Sequence, residues 1–175
     1  VLACREHGPV RVAFGAVTVT TQVVEYQRRR PDGTVLATIP LDLPQQTLCT
    51  RGVWYDIDEA ALDTAGVDLV RVPGALHAAE HAAIGILPLF AICDRWDIGG
   101  MSTALHPDTG RPTVFVHDGH PGGAGFAERG HEVLPRWLGA TRAAIVGCEC
   151  HTGCPSCVQS PKCGNGNAPL DKAGA

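Results

Sequence analysis

No stretch of the chain matches G-x-x-x-x-G-K-[ST], so a P-loop is missing and the chain is expected not to hydrolyse ATP by itself. No apolar run approaches the roughly 18 residues of a membrane span. There is no signal peptide to argue for an oxidising compartment. Cations are in deficit, 14 Lys+Arg against 18 Asp+Glu, and the formal net charge of −4 disfavours a dedicated nucleic-acid module. Lysine itself is scarce. Lys162 and Lys172 are the only two, and the arginine bias reads most simply as the mark of a GC-rich genome. Neither an internal repeat nor a low-complexity tract is present.

What remains is globular in character, 45% hydrophobic and 18% charged. A chain of 175 residues suggests one domain with room for a proper core. It begins at Val1, not Met, and ends in Asp-Lys-Ala-Gly-Ala, which reads as a piece of a longer protein. Residues 1–16 give little. The Val- and Thr-rich stretch Val17 to Tyr26 predicts a strand, Pro31-Asp32-Gly33 a turn, and Thr34 to Ile39 a returning strand. Leu48 to Ile57 predicts another strand, after which Asp56 or Asp58 caps a short helix through Leu62. Pro73-Gly74 opens the clearest helix, Ala75 to about Leu87, with Leu76, Ala79, Ala83, Ile84 and Leu87 at helical spacing. Pro88 ends or kinks it, a second helical piece runs to Trp96, and Gly99-Gly100 stops that piece. Short strands Met101–Leu105 and Thr113–His117 follow. A glycine-rich loop, 118–125, then leads into helical spacing from Phe126 to Ile145. This order predicts an α+β fold, with a mostly antiparallel sheet, packed helices and a C-terminal four-cysteine zinc site. Residues 1–147 form the body and 148–175 a cysteine-rich tail of the same domain.

Five of the eight cysteines fall in that tail: Cys148, Cys150, Cys154, Cys157 and Cys163. Cys154-Pro-Ser-Cys157 is a C-x2-C pair in a tight turn, and four sulfurs at about 2.3 Å in a tetrahedron make a structural zinc site. Two unstrained disulfides fit poorly into sixteen residues, and a redox C-x-x-C pair needs a strand–helix setting that is missing here. Cys154, Cys157 and Cys163 are the first three expected ligands. The fourth is Cys148 or Cys150, and Cys148 is preferred because it gives a symmetric C-x5-C-x2-C-x5-C frame. His151 stands in reserve, and Lys162 and Arg142 are the nearest cations in sequence to offset the charge.

Three further groups carry potential chemistry. His77-Ala-Ala-Glu80-His81 fits H-x-x-E-H, in which two histidines hold a metal and the glutamate serves as base. The plain alternative is a set of satisfied polar side chains on an alanine-rich helix. Arg28, Arg29 and Arg30 precede the first hairpin turn and are candidates for contact with a phosphate backbone, against the reading of a solvated loop. The loop from Asp118 to Gly125 is only loosely a phosphate cradle. Its glycines more simply permit φ > 0, although its N–H groups could face an anion. His117, Asp118 and His120 form a weaker candidate metal cluster.

Four segments carry a resemblance: Gly153-Cys-Pro-Ser-Cys-Val-Gln-Ser-Pro-Lys-Cys-Gly-Asn-Gly-Asn167 with Pro169-Leu-Asp-Lys172; His77-Ala-Ala-Glu-His81; Cys93-Asp-Arg-Trp-Asp-Ile-Gly-Gly100; and Asp118-Gly-His-Pro-Gly-Gly-Ala-Gly-Phe-Ala-Glu128. Together they resemble the C-terminal zinc-binding (MZB) domain of MrfA/YprA-type superfamily 2 DNA helicases, most closely the mycobacterial SftH branch. The resemblance implies a structural Zn²⁺ on Cys148, Cys154, Cys157 and Cys163, with Cys150 surplus. It also implies upstream motor domains, absent here, that use ATP and Mg²⁺ to move 3′ to 5′ on single-stranded or partly duplex DNA in DNA repair. The chain would then be a non-membrane accessory domain in the cytoplasm, associated with the nucleoid. Two other classes stand beside this one: a zinc hydrolase using His77, Glu80 and His81, and a zinc module for protein interaction.

Overall fold

The computed structural model describes all 175 residues. The chain forms two compact units, Val1–Val17 with Thr50–Ala175, and Thr18–Cys49. Strands β1 (Ala3–His7), β2 (Val10–Thr21), β5 (Gln46–Ile57), β6 (Ile98–Thr103) and β7 (Thr113–Asp118) make a five-stranded sheet in the order β1-β2-β5-β7-β6. The pairs β1–β2, β5–β7 and β6–β7 are antiparallel. A separate two-stranded antiparallel ribbon consists of β3 (Glu25–Arg29) and β4 (Val35–Pro40), joined through the Pro31-Asp32-Gly33 turn with Gly33 at φ 87°. The architecture is α+β with a largely antiparallel sheet, as the order of strand and helix signals predicts.

The strand expected from Val17 to Tyr26 is two strands, β2 and β3, broken over residues 22–24. β1, for which residues 1–16 gave no signal, is a short edge strand whose burial alternates weakly. Asp58, not Asp56, caps α1 (Glu59–Thr64), accepting from the Ala60 N–H at 3.0 Å. Asp56 is fully buried and receives Arg11 Nε at 2.8 Å.

Helix α2 (Val72–Ile86) carries Pro73 in its first turn, where a missing N–H costs nothing. Pro88 sits in a 3-10 turn, Leu87–Leu89, just past its end. The expected second helical piece shrinks to one 3-10 turn, Arg95–Asp97, closed by reciprocal bonds between Asp94 and Asp97. Gly99 and Gly100 do not stop a helix; they lie inside β6. A Cβ at Gly100 would meet Ile84 Cδ1 at 2.6 Å and Glu80 Oε1 at 2.8 Å, and one at Gly99 would overlap the His117 ring. Here glycine admits close approach of neighbouring side chains. The last predicted helix is two, α3 (Phe126–Glu132) and α4 (Leu134–Gly147), because Pro135 at the start of α4 cannot continue the α3 ladder.

The main core lies between one face of the sheet (Val12, Phe14, Val53, Ile98, Val114, Val116) and Leu76, Ala83, Ile84 and Leu87 of α2, closed by Leu134 and Trp137 of α4. The Trp137 indole donates to the Ala83 carbonyl at 2.9 Å, so this large buried ring leaves no polar atom unpaired. A smaller core forms on the other side of α2, where Ala78 and Ala82 meet Ile145 of α4 and Cys157 and Val158 of the tail. Helix α2 therefore sits between the sheet and the tail.

Candidate metal centre

Helix α4 ends at Cys148, whose backbone is extended (φ −86°, ψ 123°). In an extended segment, side chains two residues apart share a side. Cys148 and Cys150 accordingly converge, with their sulfurs 3.6 Å apart. The chain then bends through Gly153 (φ 108°) and presents Cys154 and Cys157 from a turn closed by the Cys157 N–H on the Cys154 carbonyl at 3.0 Å. Three further sulfur separations are 3.6 Å for Cys148–Cys154, 3.4 Å for Cys150–Cys157 and 3.8 Å for Cys154–Cys157. A tetrahedron with sulfur at about 2.3 Å from its centre has edges of about 3.8 Å. The four sulfurs, all within 4.8 Å of one another, fit that figure.

The expected frame of Cys148, Cys154, Cys157 and Cys163 is therefore corrected at one corner. Cys150 occupies the position assigned to Cys163, and Cys163 lies in another group with His77 and His81. Charge compensation is also corrected. Lys172 Nζ donates to the carbonyls of Cys148 and Cys150 at 2.5 Å each, placing an ammonium on the backbone of two of the four cysteines. Lys162 is engaged elsewhere, donating to the carbonyls of Arg95 and Ile98 and lying 5.4 Å from the Trp96 ring centre.

Before any ion binds, the Cys154 thiol is lowered to about 7, mainly by the Ser156 N–H and then by neighbouring thiols. Burial pushes Cys157 up to about 11. A cation in the tetrahedron would hold all four as thiolates. The Cys154 N–H, 3.3 Å from the Cys157 sulfur, is placed to support that charge.

The other expected sites resolve differently. Glu80 is buried and accepts from Ser102 Oγ at 2.7 Å; desolvation raises its pKa above the ordinary value. It stands apart from the three converging donors, so the water-activating arrangement of H-x-x-E-H is not assembled. His77 and His81 do converge, as their i, i+4 spacing requires, with ring centres 4.3 Å apart. The glycine-rich loop holds an anion of its own. The buried Asp118 carboxylate accepts the N–H groups of Ala124 (2.5 Å), Gly125 (2.8 Å) and Ala127 (2.7 Å), leaving that cradle filled. His117 bonds the Asp118 carbonyl and His120 bonds Asp97, so those histidines form no cluster with Asp118. Arg28 and Arg29 end β3, Arg30 begins the turn, and all three are exposed.

A family model described as "MrfA Zn-binding domain" matches residues 79–158, a span that includes all four clustered cysteines. The chain is 37% identical over 123 residues to the ATP-dependent helicase YprA of Bacillus subtilis, covering 68% of this chain and 16% of YprA. It is 38% identical over 102 residues to an uncharacterized protein of Methanocaldococcus jannaschii, covering 55% of this chain and 89% of that protein. The chain belongs to the MrfA Zn-binding domain family. Among solved structures, the DUF1998 helicase MrfA bound to DNA superposes with a TM-score of 0.67 at 26% identity, over 94% of this chain and 22% of that one. The chain thus spans about a sixth of YprA and about a fifth of MrfA. Zinc is the metal its description names, and the four-sulfur cluster suits zinc in donor type, number and spacing.

Proposed function

We propose that this chain is the C-terminal accessory domain of an ATP-dependent 3′ to 5′ DNA helicase that acts in DNA repair. Cys148, Cys150, Cys154 and Cys157 hold its structural zinc. The motor domains of the parent protein supply the ATP and Mg²⁺ chemistry, and single-stranded or partly duplex DNA is the substrate. The place of action is the cytoplasm, at the nucleoid. The observation that carries this reading is the match of nearly the whole chain, 94%, to one part of a helicase crystallised with DNA. It is supported by the tail, where zinc would fix the loop 148–158 against the inner helix α2 without taking part in a reaction.

Within this reading the arginines at 28–30 touch the DNA backbone. Their test is the salt dependence of binding by the intact protein. Replacing all three with alanine is expected to weaken single-stranded DNA binding and to lower the slope of log K against log salt by about 2; an unchanged slope removes the contact. The broader reading is tested by ATP-driven separation of a 3′-tailed duplex by the intact protein. No strand separation, with zinc bound and ATP present, overturns it.

A further inference from the structure

The sulfur left out of the tetrahedron is not left alone. One ligand atom from each of His77, His81 and Cys163 lies within 4.8 Å of the other two. Both imidazoles are held in the same way from the far side. His77 Nδ1 lies 2.8 Å from the Pro169 carbonyl, and His81 Nδ1 lies 2.8 Å from the Val158 carbonyl. A carbonyl only accepts, so each Nδ1 donates, and in the neutral ring that leaves the Nε2 lone pair for a metal. Metal-binding histidines are commonly oriented by such a bond to a backbone carbonyl. His77 Nε2 is 3.4 Å from the Cys163 sulfur. In a zinc tetrahedron with nitrogen at about 2.05 Å and sulfur at about 2.3 Å, that edge is about 3.6 Å. The Asn167 N–H points at the same sulfur at 3.3 Å. A plain thiol–imidazole hydrogen bond accounts for His77 and Cys163. It leaves out His81, which the i, i+4 spacing brings alongside and whose ligand atom also lies within 4.8 Å of the other two.

We propose a second site for a divalent transition metal, of the zinc class, held by His77 Nε2, His81 Nε2 and Cys163 Sγ, with its fourth position open to water. Two nitrogens and one thiolate suit zinc or cobalt(II) and would leave the bound ion with a net charge of +1. The site joins the middle of α2 to the tail beyond Cys157, a segment the four-sulfur site does not reach. It depends on neither the helicase reading nor DNA.

The test is zinc-edge anomalous diffraction from crystals of the intact zinc-loaded protein, together with zinc content by mass spectrometry. Two anomalous peaks are expected in this domain, one among the four sulfurs and one among His77, His81 and Cys163. Cys163→Ser and His77→Ala should each lose one equivalent of zinc while the four-sulfur ion remains. A single peak at the four cysteines, or unchanged zinc content in both variants, overturns the proposal. Should either variant fail to fold, the anomalous map of the unaltered protein decides alone.

Discussion

Cys150 and Cys148 are separated by one residue, and that spacing brings their sulfurs to 3.6 Å. An extended C-x-C segment sends both sulfurs to one side, whereas the symmetric x5 spacing that favoured Cys163 carries no such geometric force. Cys150→Ser should therefore abolish four-sulfur zinc binding, read as loss of the all-sulfur signature in X-ray absorption. Cys163→Ser should leave that signature in place. The sequence showed that a metal site exists, from thiol density and the Cys154–Cys157 turn. It did not show which thiols share it, because the path from Gly153 to Asn167 is set by contacts with α2 that no local pattern records. Asp118 is a second case. Its neighbours signal a glycine loop, but the occupant of the loop is Asp118 itself, which becomes clear only once β7 places it there. Asp118→Asn removes a buried charge from three N–H donors, at an expected cost of about 3 kcal/mol measured by urea denaturation.

Among the elements, α2 was legible from its apolar spacing, and β5 and β7 from their β-branched and aromatic residues. β6 was legible only in its second half, expected as Met101–Leu105, because Gly99 and Gly100 read as breakers when they are clearances for His117, Ile84 and Glu80. Nor did the α2 pattern reveal that its alanine face, Ala78 and Ala82, is a second packing surface. Ala78 is completely buried there. Ala78→Leu should overpack that contact at about 1–3 kcal/mol and speed zinc release to a chelator, measured by thermal unfolding and zinc-dye kinetics. The opening of α2 is also tied to the tail by Arg71 Nε on Asp171 at 2.7 Å and by the Asp171 N–H on the Gly74 carbonyl at 3.0 Å. The Arg71 guanidinium holds the Asp171 carboxyl below its ordinary value of 3.8. A depressed carboxylate stabilises the fold above its unfolded pKa and loses that contribution as pH falls through the folded one. The stability gap between the unaltered protein and Asp171→Asn should therefore be full at neutral pH and close below about pH 4, as followed by denaturant midpoints.

At the level of the molecule, the four-sulfur ion and protons compete for the same sulfurs. With Cys154 near 7 and Cys157 near 11, both are largely protonated at pH 6 in the metal-free state. Zinc uptake at pH 6 should release about two protons from this pair, and apparent affinity should fall as pH falls, which a pH indicator and competition titration would record. The fold class was readable from the order of strand and helix signals. The division into Val1–Val17 with Thr50–Ala175, and Thr18–Cys49, was not. The boundary at 147/148 was drawn within one domain, and the tail packs into the larger unit through Cys157 and Val158.

Both lysine ammonium groups are captured by pairs of peptide oxygens: Lys162 by Arg95 and Ile98, Lys172 by Cys148 and Cys150. Reagents that acylate or cross-link lysine should find this region nearly silent while it is folded. Mapping its neighbours in a larger assembly then calls for carboxyl- or arginine-directed chemistry, and a sudden gain of amine labelling would report that the tail has come away.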